Sequence, residues 1–154
     1  MQPFDNKIHK VIDLYSHPVW FILRDDEVDC PCVDYTAKTP DLHCKKCFGT
    51  GKKVKLARVN AAHQNYSISV RGTGMGFSET DIVAVYYTKQ KTSLKVGDII
   101  VDNDSIDTVK DVYYEHSDSA DTVYWRIETV PIKVQPQRIK DMLSETLKEA
   151  GIRE

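Results

Sequence analysis

Ile8, Val11, Ile12 and Tyr15 recur at the i, i+3, i+4, i+7 spacing of a helix that buries one face. The pattern predicts a helix over residues 5–16, with Asp5 as its N-cap and His17-Pro18 as its stop. Val19-Trp20-Phe21-Ile22-Leu23-Arg24 is β-branched and aromatic, which predicts a strand. Lys53 to Val59 alternates polar and apolar side chains, as a half-buried strand does. Further strand patterns follow at 65–71, 81–88, 99–101, 106–114 and 123–130. They are separated by turn-forming stretches at Lys95–Asp98, Asp102–Asp104 and His116–Ser119. Pro136 opens a last helix with an apolar stripe of Ile139, Met142, Leu143, Leu147 and Ala150, and Gly151 stands at its C-cap. Short strands at this spacing predict a mainly β fold: a small antiparallel β-barrel or sandwich with N- and C-terminal helices. Residues 1–154 read as a single β-rich domain.

One segment breaks the pattern. All four cysteines fall within "CPCVDYTAKTPDLHCKKCFGTG", residues 30–51, and Val33 and Leu42 are its only Val, Ile, Leu or Met residues. Such a stretch cannot order itself by burial, whereas a metal ion can supply on the order of 10 kcal/mol of folding free energy. Cys44-x2-Cys47 followed by Gly49 and Gly51 has the form of a zinc knuckle, in which glycines take positive φ while backbone N–H groups reach the sulfurs. Cys30 and Cys32 complete a four-thiolate Zn²⁺ site of the closed, structural kind. Their one-residue spacing is tighter than usual. It leaves three arrangements open: both cysteines bind, one binds with His43 or Asp29 as the substitute, or the pair is redox-active. Two disulfides joining the first pair to the second are the competing reading. Residues 28–53 are thus expected to be a zinc-clipped insertion lobe between two strands, projecting from the sheet.

Composition narrows the function classes. Charged residues make up 29% and the formal net charge is −2, which argues against a general attraction to phosphate backbones. No apolar run approaches membrane-spanning length. The N-terminal stretch has neither an apolar signal core nor a small-residue cleavage site, so the expectation is folding in a reducing cytoplasm, where thiols stay available to metal.

Candidate chemistry outside the cysteines is sparse. Gly72, Gly74 and Gly76 lack the spacing of a dinucleotide loop and no Lys-Ser/Thr pair follows them, so they read as a mobile loop that orders against a partner. Lys45, Lys46, Lys52, Lys53, Lys55 and Arg58 form a local basic segment without an acid. No H-E-x-x-H, G-x-S-x-G or Cys/His set with a third member is present, so no enzyme is expected. Asp25-Asp26-Glu27, Asp102-Asn103-Asp104 and Asp118 read as solvated turn carboxylates. In the pairs Tyr86-Tyr87, Tyr113-Tyr114 and Tyr124-Trp125, one ring should face the core and one outward, toward a protein partner.

Two stretches carry a resemblance. The cysteine segment, set between "HPVWFILRD" and "KKVKLARV", resembles an insertion of tailed-bacteriophage neck proteins. Residues 94–133 resemble the later strands of the small barrel-type head-closure (stopper) proteins of that neck. Val96-Gly97-Asp98-Ile99-Ile100 matches their turn, while Thr108–Val112 lacks the leading Tyr of the strand that follows. The Cys-x2-Cys-x-Gly-x-Gly part is also similar to one unit of the zinc region of J-domain co-chaperones. The phage resemblance implies a structural virion protein forming a homo-oligomeric ring that joins portal and adaptor to tail and helps retain packaged DNA. It implies other virion proteins as partners, DNA nearby, no membrane, and assembly in the host cytoplasm. The alternative is a zinc-dependent nucleic-acid-binding adaptor that uses the basic 45–58 segment.

Overall fold

The computed structural model describes residues 3–68, 81–103, 105–116, 122–132 and 135–152. Helix α1 spans Pro3–Tyr15, and strands β1 to β6 span Ser16–Asp29, Lys52–Ile68, Asp81–Thr88, Ile99–Val101, Ile106–His116 and Thr122–Pro131. Helix α2 spans Pro136–Glu149. All strand pairs are antiparallel, and the order β1-β2-β3-β6-β5-β4 closes on itself when Phe21 of β1 pairs with Ile100 of β4. The mainly β architecture expected from the patterning is present, as a closed barrel with a helix near each terminus.

Side-chain parity decides what lies inside. Val19, Phe21, Ala61, Ala84, Tyr86, Ile100, Val109 and Ile127 point inward and form the barrel core. The alternate residues Ile22, Ile99, Val101 and Ile106 point outward, yet they are buried too, because α2 lays Ile139, Met142, Leu143 and Leu147 over them. β1 and β4 are therefore covered on both faces. This is why Val19–Leu23 and Ile99–Val101 read as continuous apolar runs rather than alternating ones. Gly151 ends α2 with φ 71°, its N–H donating to Lys148 O while that of Ile152 donates to Leu147 O.

Some expectations need correction. Residues 53–59 and 65–68 belong to one strand, β2, which continues through Asn60–Gln64 by pairing with β1 on one side and β3 on the other. Residues 69–71 of the second predicted strand lie outside the described residues. Of the α1 stripe, Ile12 is buried, but Val11 and Tyr15 are 56% and 65% exposed, because the helix meets the barrel along a narrow line. Ala150 is exposed rather than part of the α2 stripe. Tyr113 and Tyr114 are both exposed, because they lie in the second half of β5, where no residue is buried on either face. Helix α1 begins at Pro3, so Asp5 is its third residue rather than its N-cap, and Asp118 lies outside the described residues.

The Val96-Gly97-Asp98 turn locks the barrel seam. Asp98 is fully buried, and its carboxylate accepts the Arg24 N–H at 2.9 Å and the Lys95 N–H at 3.0 Å. Its carbonyl accepts the Val109 N–H, and Gly97 N–H donates to Val109 O. Gly97 has φ 92°, and a Cβ there would fall 2.3 Å from Arg24 Nη2. Gly97→Ala should therefore cost about 1–3 kcal/mol through left-handed strain and displacement of Arg24. Thermal unfolding checks this, and an unchanged Tm would contradict it.

Candidate metal centre

The cysteine segment joins β1 to β2 as turns and loops, closed at its base by Cys30 N–H donating to Gly51 O at 2.9 Å. The knuckle is built as its glycines suggested. Phe48, Gly49 and Gly51 have φ of 55°, 78° and 76°, and a Cβ on Gly49 would meet Leu42 O at 2.9 Å. Thr50 ties the turn back, its hydroxyl donating to Cys47 O at 2.7 Å.

The four sulfurs converge. One Sγ from each of Cys30, Cys32, Cys44 and Cys47 lies within 4.8 Å of the others. Cys30 and Cys44 sulfurs are 3.8 Å apart and those of Cys32 and Cys47 are 3.5 Å apart. A tetrahedron with metal–sulfur bonds of about 2.3 Å has edges of about 3.8 Å, so the cluster has the dimensions of a four-thiolate metal site. None of the cysteines is disulfide-bonded. His43 and Asp29, the candidate substitutes, are exposed; Asp29 pairs with Lys52 at 2.6 Å. Both members of the tight Cys30-x-Cys32 pair take part in the cluster.

Local electrostatics fit a thiolate site. Burial pushes the Cys47 thiol up to about 12, against hydrogen bonds from the Gly51 and Gly49 backbones. A metal ion has to displace that proton as it binds. Partial burial acts on Cys44 in the same direction, but the Lys46 and Cys47 backbones and the neighbouring thiols bring it below the usual thiol range.

The lobe does not project freely. Phe48, the one large apolar residue of the knuckle, is 2% exposed and packs into the cluster under α2 with Ile22, Met142, Leu143 and Leu147. Lys45 adds an ion pair to Glu145, with Glu149 at 4.0 Å. The aliphatic-poor segment gains through one aromatic what it lacks elsewhere, so metal site and C-terminal helix share a hydrophobic cluster.

The basic segment is dispersed. Lys45 and Lys52 are paired with acids, while Lys46, Lys53, Lys55 and Arg58 are exposed. Along β2, Lys53 and Lys55 alternate with Val54 and Leu56, so Arg58 falls on the opposite face from the two lysines. Gly72, Gly74 and Gly76 lie outside the described residues.

A second cluster was missed by sequence reasoning. His17, His63, Tyr86, Asp102 and Asp107 point into one end of the barrel. Asp102, expected in a solvated turn, is buried: His17 Nε2 lies 2.8 Å from its Oδ1 and His63 Nδ1 lies 3.2 Å from its Oδ2. His63 stacks on Tyr86, with ring centroids 4.4 Å apart. Asp107 Oδ2 accepts from Thr129 at 3.2 Å and from Tyr86 at 3.3 Å. Burial raises the Asp107 carboxyl and pushes the Tyr86 phenol upward as well. Parity was the available signal, since each residue stands two positions from a core residue: His17 from Val19, His63 from Ala61, Asp102 from Ile100 and Asp107 from Val109.

Fold and site together define a class: a small closed β-barrel that carries, on one strand connection, four cysteines clustered at metal-binding distance. Compared with known proteins, the chain matches no protein-family model and no curated protein. No described helix is long and apolar enough to cross a membrane.

Proposed function

We propose that this chain is a non-catalytic structural protein of a tailed-phage virion, forming a ring in the head–tail neck, with Zn²⁺ as its structural metal. The ring joins portal and adaptor to tail and helps retain DNA. The observation that carries the reading is the barrel seam. The Val96–Ile100 turn, on which the resemblance to head-closure proteins rests, opens a strand of a closed barrel and is locked there by Asp98. A cluster of four thiolates favours zinc among divalent metals and leaves no coordination position for a reacting water. Inside the barrel, His17 and His63 contact Asp102 and Tyr86 donates to Asp107, while His63 Nε2 and Asp107 Oδ1 are buried without a partner among the described residues. The adaptor reading draws less support, because the basic residues divide between ion pairs and two strand faces.

Quantitative mass spectrometry of purified particles tests the proposal. A single ring's complement of copies per particle is the expected result. Absence from particles would overturn the virion reading, and a copy number many times larger would move the chain to tail tube or capsid. Metal analysis of the purified chain should return one zinc per chain.

A further inference from the structure

The four sulfurs are not equivalent. Cys30 and Cys47 are buried, while Cys32 and Cys44 are half-buried. Both sulfur–sulfur hydrogen-bond contacts run between the two pairs, Cys30 to Cys44 and Cys32 to Cys47, and neither runs within a pair. Each contact therefore joins a sulfur that solvent reaches to one that it hardly reaches. This is the arrangement of an oxidant-facing thiol with a resolving thiol behind it. The separations of 3.8 and 3.5 Å have to shorten by about 1.5–1.8 Å to give an S–S bond of about 2.05 Å. A bridge inside Cys30-x-Cys32 would instead close over a single residue and strain the backbone.

What oxidation does to the fold depends on which sulfurs join. Bonds across the pairs tie residues 30–32 to the knuckle at 44–47, which is the connection a metal ion makes. The Cys32–Cys47 bond would pin the residue next to Phe48, whose side chain packs under α2 with Met142, Leu143 and Leu147. Bonds within the pairs would close Cys30 on Cys32 and Cys44 on Cys47. The two halves of the segment would then have neither ion nor covalent bond between them, and Phe48 would lose its brace.

We propose that residues 30–51 are a redox-convertible clip, in which a hydroperoxide replaces the four-thiolate metal site by the disulfides Cys30–Cys44 and Cys32–Cys47 while α2 stays seated. In each pair the half-buried thiolate attacks the peroxide. The O–O bond breaks, the sulfur keeps one oxygen as a sulfenic acid, and the other oxygen leaves as water. The buried sulfur then attacks that sulfur, the S–S bond forms, the S–O bond breaks, and a second water leaves. Each pair gives two electrons to one peroxide, and two protons from solvent end in the waters. Two peroxides and four protons thus yield two disulfides, four waters and the freed Zn²⁺. The inference rests on the reading above for its metal and for its use, since a particle leaves the compartment in which thiols stay reduced. The conversion itself is measured on purified protein, so its failure is distinct from absence of the chain from particles.

The test is treatment of the full, zinc-loaded chain with about two equivalents of hydrogen peroxide at neutral pH. A chromogenic chelator should register release of the metal. Mass spectrometry of the non-reduced digest, with fragmentation across Pro31, should find Cys30–Cys44 and Cys32–Cys47. The α2 amides should exchange within roughly threefold of the zinc-loaded rate. Chelation of the reduced chain is the contrast, because it removes the same metal and leaves no bond in its place; there α2 exchange should rise about 100-fold. Dithiothreitol with zinc should return the oxidised chain to its starting state. Cys30→Ser with Cys44→Ser, which retains one cross-pair, should protect α2 once oxidised, whereas Cys30→Ser with Cys32→Ser, which retains only the knuckle pair, should not. Any other disulfide connectivity in the wild type, an oxidised chain whose α2 exchanges as fast as the chelated one, or thiols that keep their metal against excess peroxide would each overturn the proposal.

Discussion

Cys47→Ser should abolish stoichiometric metal binding and unfold residues 30–51, while the barrel stays closed. Cys47 is fully buried at the centre of the cluster, 3.5 Å from the Cys32 sulfur. A serine hydroxyl is a poor ligand for zinc, and the segment has no apolar core to fall back on. The effect should not stop at the lobe. Phe48 follows Cys47 directly and forms part of the seat of α2, and Lys45 holds Glu145 of that helix. When the knuckle unfolds, α2 loses both contacts but keeps Ile22, Ile99, Val101 and Ile106 beneath it. Loss of a buried Phe contact is worth about 3–5 kcal/mol, so α2 amides should exchange at least roughly 100-fold faster. The barrel residues Val19, Phe21, Ile100 and Ile127 belong to a different cluster and should keep their protection. Hydrogen exchange read by mass spectrometry separates the three regions. A metal-free variant with unchanged protection in α2 would show that the helix is seated by the barrel alone. Chelation of the wild type should reproduce the pattern, and zinc should reverse it.

How far the sequence could lead depended on whether a residue's partners were near in the chain. The strand over 81–88, the Pro136 start and Gly151 end of α2, and the cysteine cluster rest on local pattern, and each appears where predicted. Local pattern failed where tertiary pairing overrides propensity. Asn60-Ala61-Ala62-His63-Gln64 has no β-branched or aromatic residue, yet it is strand, because its first half pairs with β1 and its second half with β3, the two ladders overlapping at Ala62. It failed again for the polar interior. His17 and Asp102 are 85 positions apart, so nothing in the neighbourhood of Asp-Asn-Asp marks its first carboxylate as a buried acceptor. The docking of the lobe is non-local in the same way, since Phe48 finds partners in β1 and α2 and Lys45 pairs with Glu145 of α2.

Phe48→Ala should leave the metal bound and still destabilise the protein by about 3–5 kcal/mol. The side chain is buried among Ile22, Met142, Leu143 and Leu147, and truncation leaves a cavity between helix and barrel. The backbone of Phe48 supplies a sharper version of the test. Its φ of 55° lies in the left-handed region, which costs a residue with a Cβ roughly 1 kcal/mol and glycine almost nothing. At most helix or strand positions glycine is worse than alanine by about 0.5–1 kcal/mol. Here the order should invert, with Phe48→Gly at least as stable as Phe48→Ala and both far below wild type. Denaturant unfolding of the two zinc-loaded variants decides it. If alanine proves clearly better than glycine, the knuckle does not hold Phe48 left-handed in solution. If neither variant loses stability, Phe48 is not the link between metal site and helix. The two substitutions at adjacent positions therefore divide the work: Cys47 reports on what the metal orders, and Phe48 on how that order is passed to α2.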